Sequence, residues 1–198
     1  MLDLVEMSSG LFGAIIGGFF ALAGAVLAWG LQCFLSWWQE RGHVRALLQA
    51  LNDEVEVLGL VYMKRIGVQV EAVRGKEALG LHFPISSSYF LVYDSNCASL
   101  GRIRSSVLRR SVVETYTYLK ALADTFCYNN RLLQEFEDLR RQQSDNPESE
   151  ILQRLIGEKE LELRDYGEGI WAVHQEAMVA SLKLKSLIQA RLQGWDVP

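Results

Sequence analysis

Only three prolines, Pro84, Pro147 and Pro198, occur in the 198-residue chain. Long stretches therefore lack the residue that most effectively breaks a helix. Cysteine is equally sparse: Cys33, Cys97 and Cys127 form no CxxC pair, no even-numbered framework and no zinc spacing, which argues against a disulfide scaffold or a zinc module. They read as small apolar side chains in a reducing compartment. His43, His82 and His174 are far apart, and none pairs with another at the i, i+4 spacing of a helical metal site. No P-loop, GxGxxG, HExxH or GxSxG is present, so no catalytic residue, cofactor or metal is expected. A net charge of −4 is too small to select for or against a polyanionic partner.

What the chain does contain favours helix: Ala, Leu, Glu, Arg and Gln are plentiful. Charge is missing from one place above all, since no residue between Glu6 and Glu40 carries any. The run from Leu11 to Trp38 is almost wholly apolar, and about 20 such residues in a helix cross a bilayer core. The apolar run continues well past Ala21-Leu22-Ala23, and no Lys or Arg precedes it. Both features speak against a cleaved signal peptide. Asp3 and Glu6 lie before the run, Arg41, His43 and Arg45 after it. Positive charge stays inside, so the N-terminus is expected outside and the bulk of the chain in the cytoplasm. Trp37 and Trp38 suit the aromatic belt at the inner interface.

Within this run Gly10, Ala14, Gly17, Ala21, Gly24 and Ala28 recur at spacings of 4, 3, 4, 3 and 4. Small residues let helix backbones approach closely, and dispersion then drives association in lipid. A lone helix has no internal partner for the stripe, so the expected partner is another copy. The absence of ionisable residues argues against a proton relay or a voltage sensor. A pore ringed by such helices would gate by wetting.

Beyond the membrane run, Val44, Leu48, Leu51, Val55, Leu58 and Tyr62 keep a 3/4 spacing, which predicts a continuous helix ending near Arg74-Gly75. Residues 76–94 read as a connector, with Tyr89–Tyr93 either extended or an irregular arm that plugs a core or a subunit contact. Asp94-Ser95-Asn96 is expected to cap a short helix that Gly101 ends. Ser105-Ser106 then opens a long helix, about Val107–Gln143, whose seam is Leu119, Leu122, Phe126, Asn129, Leu133 and Phe136. Asn129 on that seam is expected to fix register between helices. Asn146-Pro147-Glu148 reads as a restart with Asn as N-cap. In the last helix Leu152, Ile156, Lys159, Leu163, Tyr166, Ile170, Val173, Ala177, Ala180, Leu184 and Leu187 alternate steps of 4 and 3 up to the stop at Gly194. Gly157, Gly167 and Gly169 are expected to bend this helix or to allow close packing. Arg102, Arg104, Arg109 and Arg110 form a compact basic patch, suited to anionic headgroups, to nucleic acid, or to plain solvation.

The expectation is an all-α fold: a short periplasmic N-terminus (1–9), one N-terminal transmembrane helix (10–38), and a continuous cytoplasmic bundle of long helices (39–198), oligomeric, in a bacterial inner membrane. The order Tyr93-Asp94-Ser95-Asn96, then Leu100-Gly101, then Val112-Val113-Glu114-Thr115-Tyr116 adds a further clue. In this segment and in its layout the chain resembles small bacterial single-pass membrane proteins associated with phage-defence loci. The layout is similar to the membrane accessory proteins of type VI CRISPR systems, which assemble into pore-like rings. The resemblance implies a homo-oligomer that forms a pore and depolarises the membrane in antiviral defence. The chain lacks the Arg/His ribonuclease-like pair of that group. The alternative is a non-conducting anchored scaffold that recruits a cytoplasmic protein or nucleoprotein. Membrane lipid and other copies of the chain are the expected partners on the first reading.

Overall fold

The computed structural model describes residues 2–86 and 88–196, with the side chains of residues 2–17, 19–21, 195 and 196 outside the description. Among the described residues all regular structure is helical, and no strand is present. Helix α1 spans Leu2–Tyr62, and a π-helical segment, Met63–Gly67, leads into α2, Val68–Val73. After a connector come α3, Leu91–Asn96, a 3-10 segment, Cys97–Arg102, α4, Ser106–Asp145, and α5, Glu150–Asp196. The chain divides into two compact units, Met1–Arg45 and Ala46–Pro198.

In the first unit, the described part of α1 turns apolar side chains outward on every side. Leu22, Val26, Leu27, Trp29, Leu31, Phe34, Leu35 and Trp38 are all exposed. Arg41 lays its guanidinium over Trp37, 4.6 Å from the ring centre. Among the described residues no helix is long and apolar enough to cross a membrane. Residues 11–17 and 19–21 of the apolar run, with Gly10, Ala14, Gly17 and Ala21 of the small-residue stripe, lie outside the described side chains.

The second unit is a bundle of the C-terminal part of α1 with α4 and α5. Leu48, Leu51 and Val55 are buried at the 3/4 spacing read from the sequence. The core seam of α4 comprises Leu108, Val112, Tyr116, Leu122, Phe126, Leu132 and Leu133. In α5 it comprises Leu163, Ile170, Ala177 and Leu184. One face of that helix drifts: Gly167, His174 and Ile188 are buried, while Val173 and Leu187 are only partly so. A straight helix has 3.6 residues per turn rather than 3.5, so the buried face moves round by one position over successive heptads. Ser105 accepts from the Leu108 amide as N-cap of α4, the role the sequence assigns to that serine pair. Asn146, expected to start α5, instead ends α4, its amide bonded to Gln142 and Gln143 carbonyls. Pro147 and Glu148 make the turn, and Ser149 accepts from the Leu152 amide. The acidic runs behave as solvated faces: Lys159 bridges Glu135 and Glu162, and Arg141 meets Asp138.

The run of helix that begins with α1 closes at Arg74 and Gly75, both left-handed, with φ of 50° and 69°. Gly75 lies against α5: a Cβ there would sit 2.8 Å from Glu168 Cα. The connector then crosses α5 at Gly167, where a Cβ would lie 2.6 Å from the Glu77 carbonyl oxygen. Of the three glycines expected to matter in α5, Gly167 is the one required by close packing; Gly157 and Gly169 have open space.

Irregular backbone beside a core needs partners for its amides and carbonyls. Two adjacent asparagines of α4 supply them. Asn130 accepts from the Phe83 amide at 3.0 Å and donates to its carbonyl at 2.7 Å. Asn129 donates to Leu79 O at 3.2 Å. Asn129 therefore does not set register between helices. It is wholly buried, and it pins the connector so that Leu79 and Phe83 enter the core beside Ile66, Val70, Phe126 and Ile170.

Candidate functional site

Glu54, on α1 between the buried Leu51 and Val55, sits at the centre of the motif read around Tyr93–Asn96. Its Oε1 accepts from the Val92 amide at 2.7 Å, and its Oε2 from the Tyr93 amide at 3.1 Å. The Tyr116 hydroxyl donates to the same Oε2 at 2.6 Å. The unpaired first-turn amides of α3 are thus capped by a carboxylate from another helix. This corrects the expectation for Asp94, Ser95 and Asn96. They lie inside α3, Phe90 holds the cap position, and no side chain of the segment itself caps it. Asn96 donates to Val92 O, Asp94 accepts from Lys120 at 2.6 Å, and Ser95 is exposed.

Tyr93 and Tyr116, far apart in sequence, do come together. Their rings stack at 4.0 Å with an interplanar angle of 12°. Phe90 meets Tyr116 edge-on at 6.0 Å, and the Lys120 ammonium lies over both Phe90 and Tyr93. Burial first, then the hydrogen bond to Glu54, pushes the Tyr116 hydroxyl well above its ordinary value. The hydroxyl therefore stays a donor. Leu100 is buried and Gly101 exposed in the 3-10 segment that closes this motif. The whole assembly joins α1, α3 and α4.

Next to it lies an apolar cavity of about 70 Å³, lined by Leu58, Tyr62, Phe83, Tyr89, Leu122 and Phe126 among others. Its wall leads to the one hydroxyl–imidazole–carboxylate row among the described contacts. Tyr62 Oη lies 2.8 Å from His174 Nδ1, and His174 Nε2 lies 3.7 Å from Glu71 Oε1. Nε2 is buried and has no hydrogen-bond partner. The tautomer that serves both contacts carries its proton on Nε2 and accepts from Tyr62 at Nδ1. A nucleophilic phenolate needs a lowered pKa. Tyr62 is shifted upward, by burial and then by Glu71. The row reads as a core junction between α1, α2 and α5, bonded on its Tyr62 side and unpartnered at Nε2.

Burial also holds the His174 imidazole below its usual 6.5, against a weaker upward pull from Glu71. The folded chain therefore binds fewer protons here than the unfolded chain. The stability contributed by the neutral ring is complete above about pH 6.5 and is lost as pH falls through the lower folded value. Between about pH 7 and 5.5 the denaturation midpoint of the wild type should fall more steeply than that of His174→Gln. Parallel slopes would remove His174 as the sensitive group.

The four arginines occupy the 3-10 segment, its exit and the first turn of α4. Arg102, Arg104 and Arg110 are exposed, and Arg109 donates to Ile103 O at 2.7 Å. The three cysteines are free and exposed. Among the described residues no group of three or more His, Cys, Asp or Glu could hold a metal ion. In the small-residue stripe, Gly24 and Ala28 are exposed, and a Cβ at Gly24 would meet nothing within 4 Å.

Sequence reading misses Glu54, Asn130 and the Tyr62–His174 pair. The Asn129-Asn130 doublet is a usable signal, because two successive amide side chains on one helix can serve an irregular backbone segment lying across it. Glu54 gives none, being one acid among several on an amphipathic helix. No protein-family model, curated protein or solved structure matches the chain.

Proposed function

We propose that the chain is a single-pass membrane protein that self-associates through its N-terminal helix, and that the assembled helices form or gate an opening in a bacterial inner membrane. The observation that carries this is the row of exposed apolar side chains on α1 from Leu22 to Trp38. Such a surface is stable only against lipid or another copy. The uncharged stretch from Glu6 to Glu40 supplies the length. The open space at Gly24 and Gly30 leaves the small residues for contact between copies. The likeness to membrane accessory proteins of phage-defence loci supports antiviral depolarisation as the setting.

The test is the mass of the detergent-solubilised full chain, for the wild type and for Gly17→Leu and Gly24→Leu. The expected result is a discrete oligomer in the wild type that falls towards monomer in the variants, with loss of dye leakage from liposomes. Wild-type oligomers unchanged in both variants would place the contact elsewhere.

A second reading, an anchored adaptor without conduction, draws on the exposed row Val57, Leu60, Val61 and Val68 of α1 and α2. A monomeric wild type would favour it.

A further inference from the structure

We infer that the bundle carries a docking surface for anionic lipid headgroups, built on Arg104, Arg109 and Arg110 and the groove beside them. This rests on the membrane reading above and names which face of the bundle meets the bilayer.

Contacts between the helices set their alignment. Glu54 meets Tyr116 and Tyr62 packs on Phe126, so α1 and α4 run parallel. Thr115 donates to Ala180 O and, ten positions on, Thr125 O accepts from Tyr166, so α5 runs antiparallel to both. The first turns of α4 therefore lie at the end of the bundle where the chain enters at Ala46. Ala46 follows Trp38 by eight positions, and eight residues span at most roughly 28 Å even when extended. In sequence the bundle therefore begins eight positions after Trp38, the last residue of the apolar run.

Charge is segregated along the bundle in the same sense. From Cys97 to Val113 there are four arginines and no acid. At the opposite end, between Arg131 and Asp165, ten acidic residues outnumber six basic ones. A negatively charged bilayer attracts the first end and repels the second, which orients the bundle. A nucleic acid laid along the bundle would meet the acidic end as well, so the lipid surface is the better match.

The surface also has shape. An open groove of about 890 Å³ is lined by Cys97, Leu100, Ser106, Arg109, Arg110 and Val113, with Glu114 at its side. Glu114 is paired to Lys183 at 3.3 Å, which moderates its repulsion of an anion. The guanidinium groups and the Ser106 hydroxyl suit a phosphate, while Leu100 and Val113 suit glycerol and the upper acyl carbons. Val107, 62% exposed, lies in the first turn of α4 beside Arg110 and can enter the interface.

Cys97 in the groove and Cys127 further along α4 are both exposed, so one molecule carries a probe and its control. The full chain is placed in nanodiscs of phosphatidylcholine alone or with phosphatidylglycerol, and N-ethylmaleimide uptake at each cysteine is followed by mass spectrometry. Each arginine adds roughly fivefold to affinity for an anionic surface. Cys97 should therefore react about fivefold or more slowly in the anionic discs, Cys127 equally in both, and high salt should erase the difference. Arg104→Gln with Arg110→Gln should abolish the protection, and the paired Lys variants should retain it. Equal Cys97 rates in the two lipids overturn the proposal. So does protection by an added oligonucleotide in zwitterionic discs without any lipid effect, which assigns the groove to nucleic acid. Failure of the chain to enter nanodiscs at all is a separate result and overturns the membrane reading instead.

Discussion

Replacing Tyr116 by alanine should cost about 3–5 kcal/mol of stability, the usual loss for a large aromatic in a packed core. Tyr116 is fully buried, stacked on Tyr93 at 4.0 Å and met edge-on by Phe90 at 6.0 Å. Truncation removes the ring and leaves Glu54 with one donor fewer. Tyr116→Phe separates the two effects. It keeps the ring and loses the 2.6 Å hydrogen bond, for which about 1.5–3 kcal/mol is expected because the acceptor is charged. Glu54→Gln is the partner change, and a double-mutant cycle of Tyr116→Phe with Glu54→Gln should show coupling of about 0.5–3 kcal/mol. The measurement is chemical denaturation of the detergent-solubilised chain followed by near-ultraviolet dichroism. A Tyr116→Ala loss below about 1 kcal/mol would mean that the aromatic cluster is decoration rather than a joint.

The glycines of α5 should separate by sign. In a helix interior, alanine is ordinarily better than glycine by about 1 kcal/mol. Gly157 and Gly169 have open space around the missing Cβ, so Gly157→Ala and Gly169→Ala should raise the denaturation midpoint. At Gly167 the same methyl would stand 2.6 Å from the Glu77 carbonyl oxygen. That is backbone, which cannot swing aside as a side-chain tip can. Gly167→Ala should therefore lower stability by about 1–3 kcal/mol, the cost of overpacking, and loosen the connector enough to raise amide exchange around Leu79 and Phe83. If all three variants stabilise alike, the connector does not lie across α5 where the structure puts it.

Joints such as these mark the boundary of what the sequence makes legible. Periodicity carries the helices, because burial of one face forces a repeat near 3.5 that survives any substitution preserving polarity. The seam Leu48, Leu51 and Val55, the opening of α4 at Ser105 and the close of α2 at Arg74-Gly75 are legible on that ground. The chemistry of the joints is not. Capping is usually local, so Asp94-Ser95-Asn96 reads as its own cap, whereas the cap comes from Glu54, some forty positions earlier. A turn with Asn before Pro suits the end of one helix as well as the start of the next, and only the hydrogen bonds of Asn146 decide between them. Asn129 fits a helix seam by spacing, yet its partners are the carbonyls of an irregular segment whose path no periodicity reports. Of the site residues, Tyr93 and Tyr116 fall in one sequence motif and stack in the structure, but the acid that joins them lies in a helix where acids are expected to face water.

The π-helical segment Met63–Gly67 has one more consequence. A π turn is an α-helix holding a single surplus residue, so it works as a phase shift between the helix before it and the helix after it. Upstream, Leu48, Leu51 and Val55 point to the core; within the segment Ile66 does, and downstream Val70. A chain shorter by one residue in this segment would form a smoother helix, yet it would carry Val70 and Glu71 about 100° round the axis, away from the core and from His174. In this segment, then, the count of residues encodes direction. Substitutions that leave the count alone can be absorbed, while an insertion or deletion of one redirects everything up to Gly75.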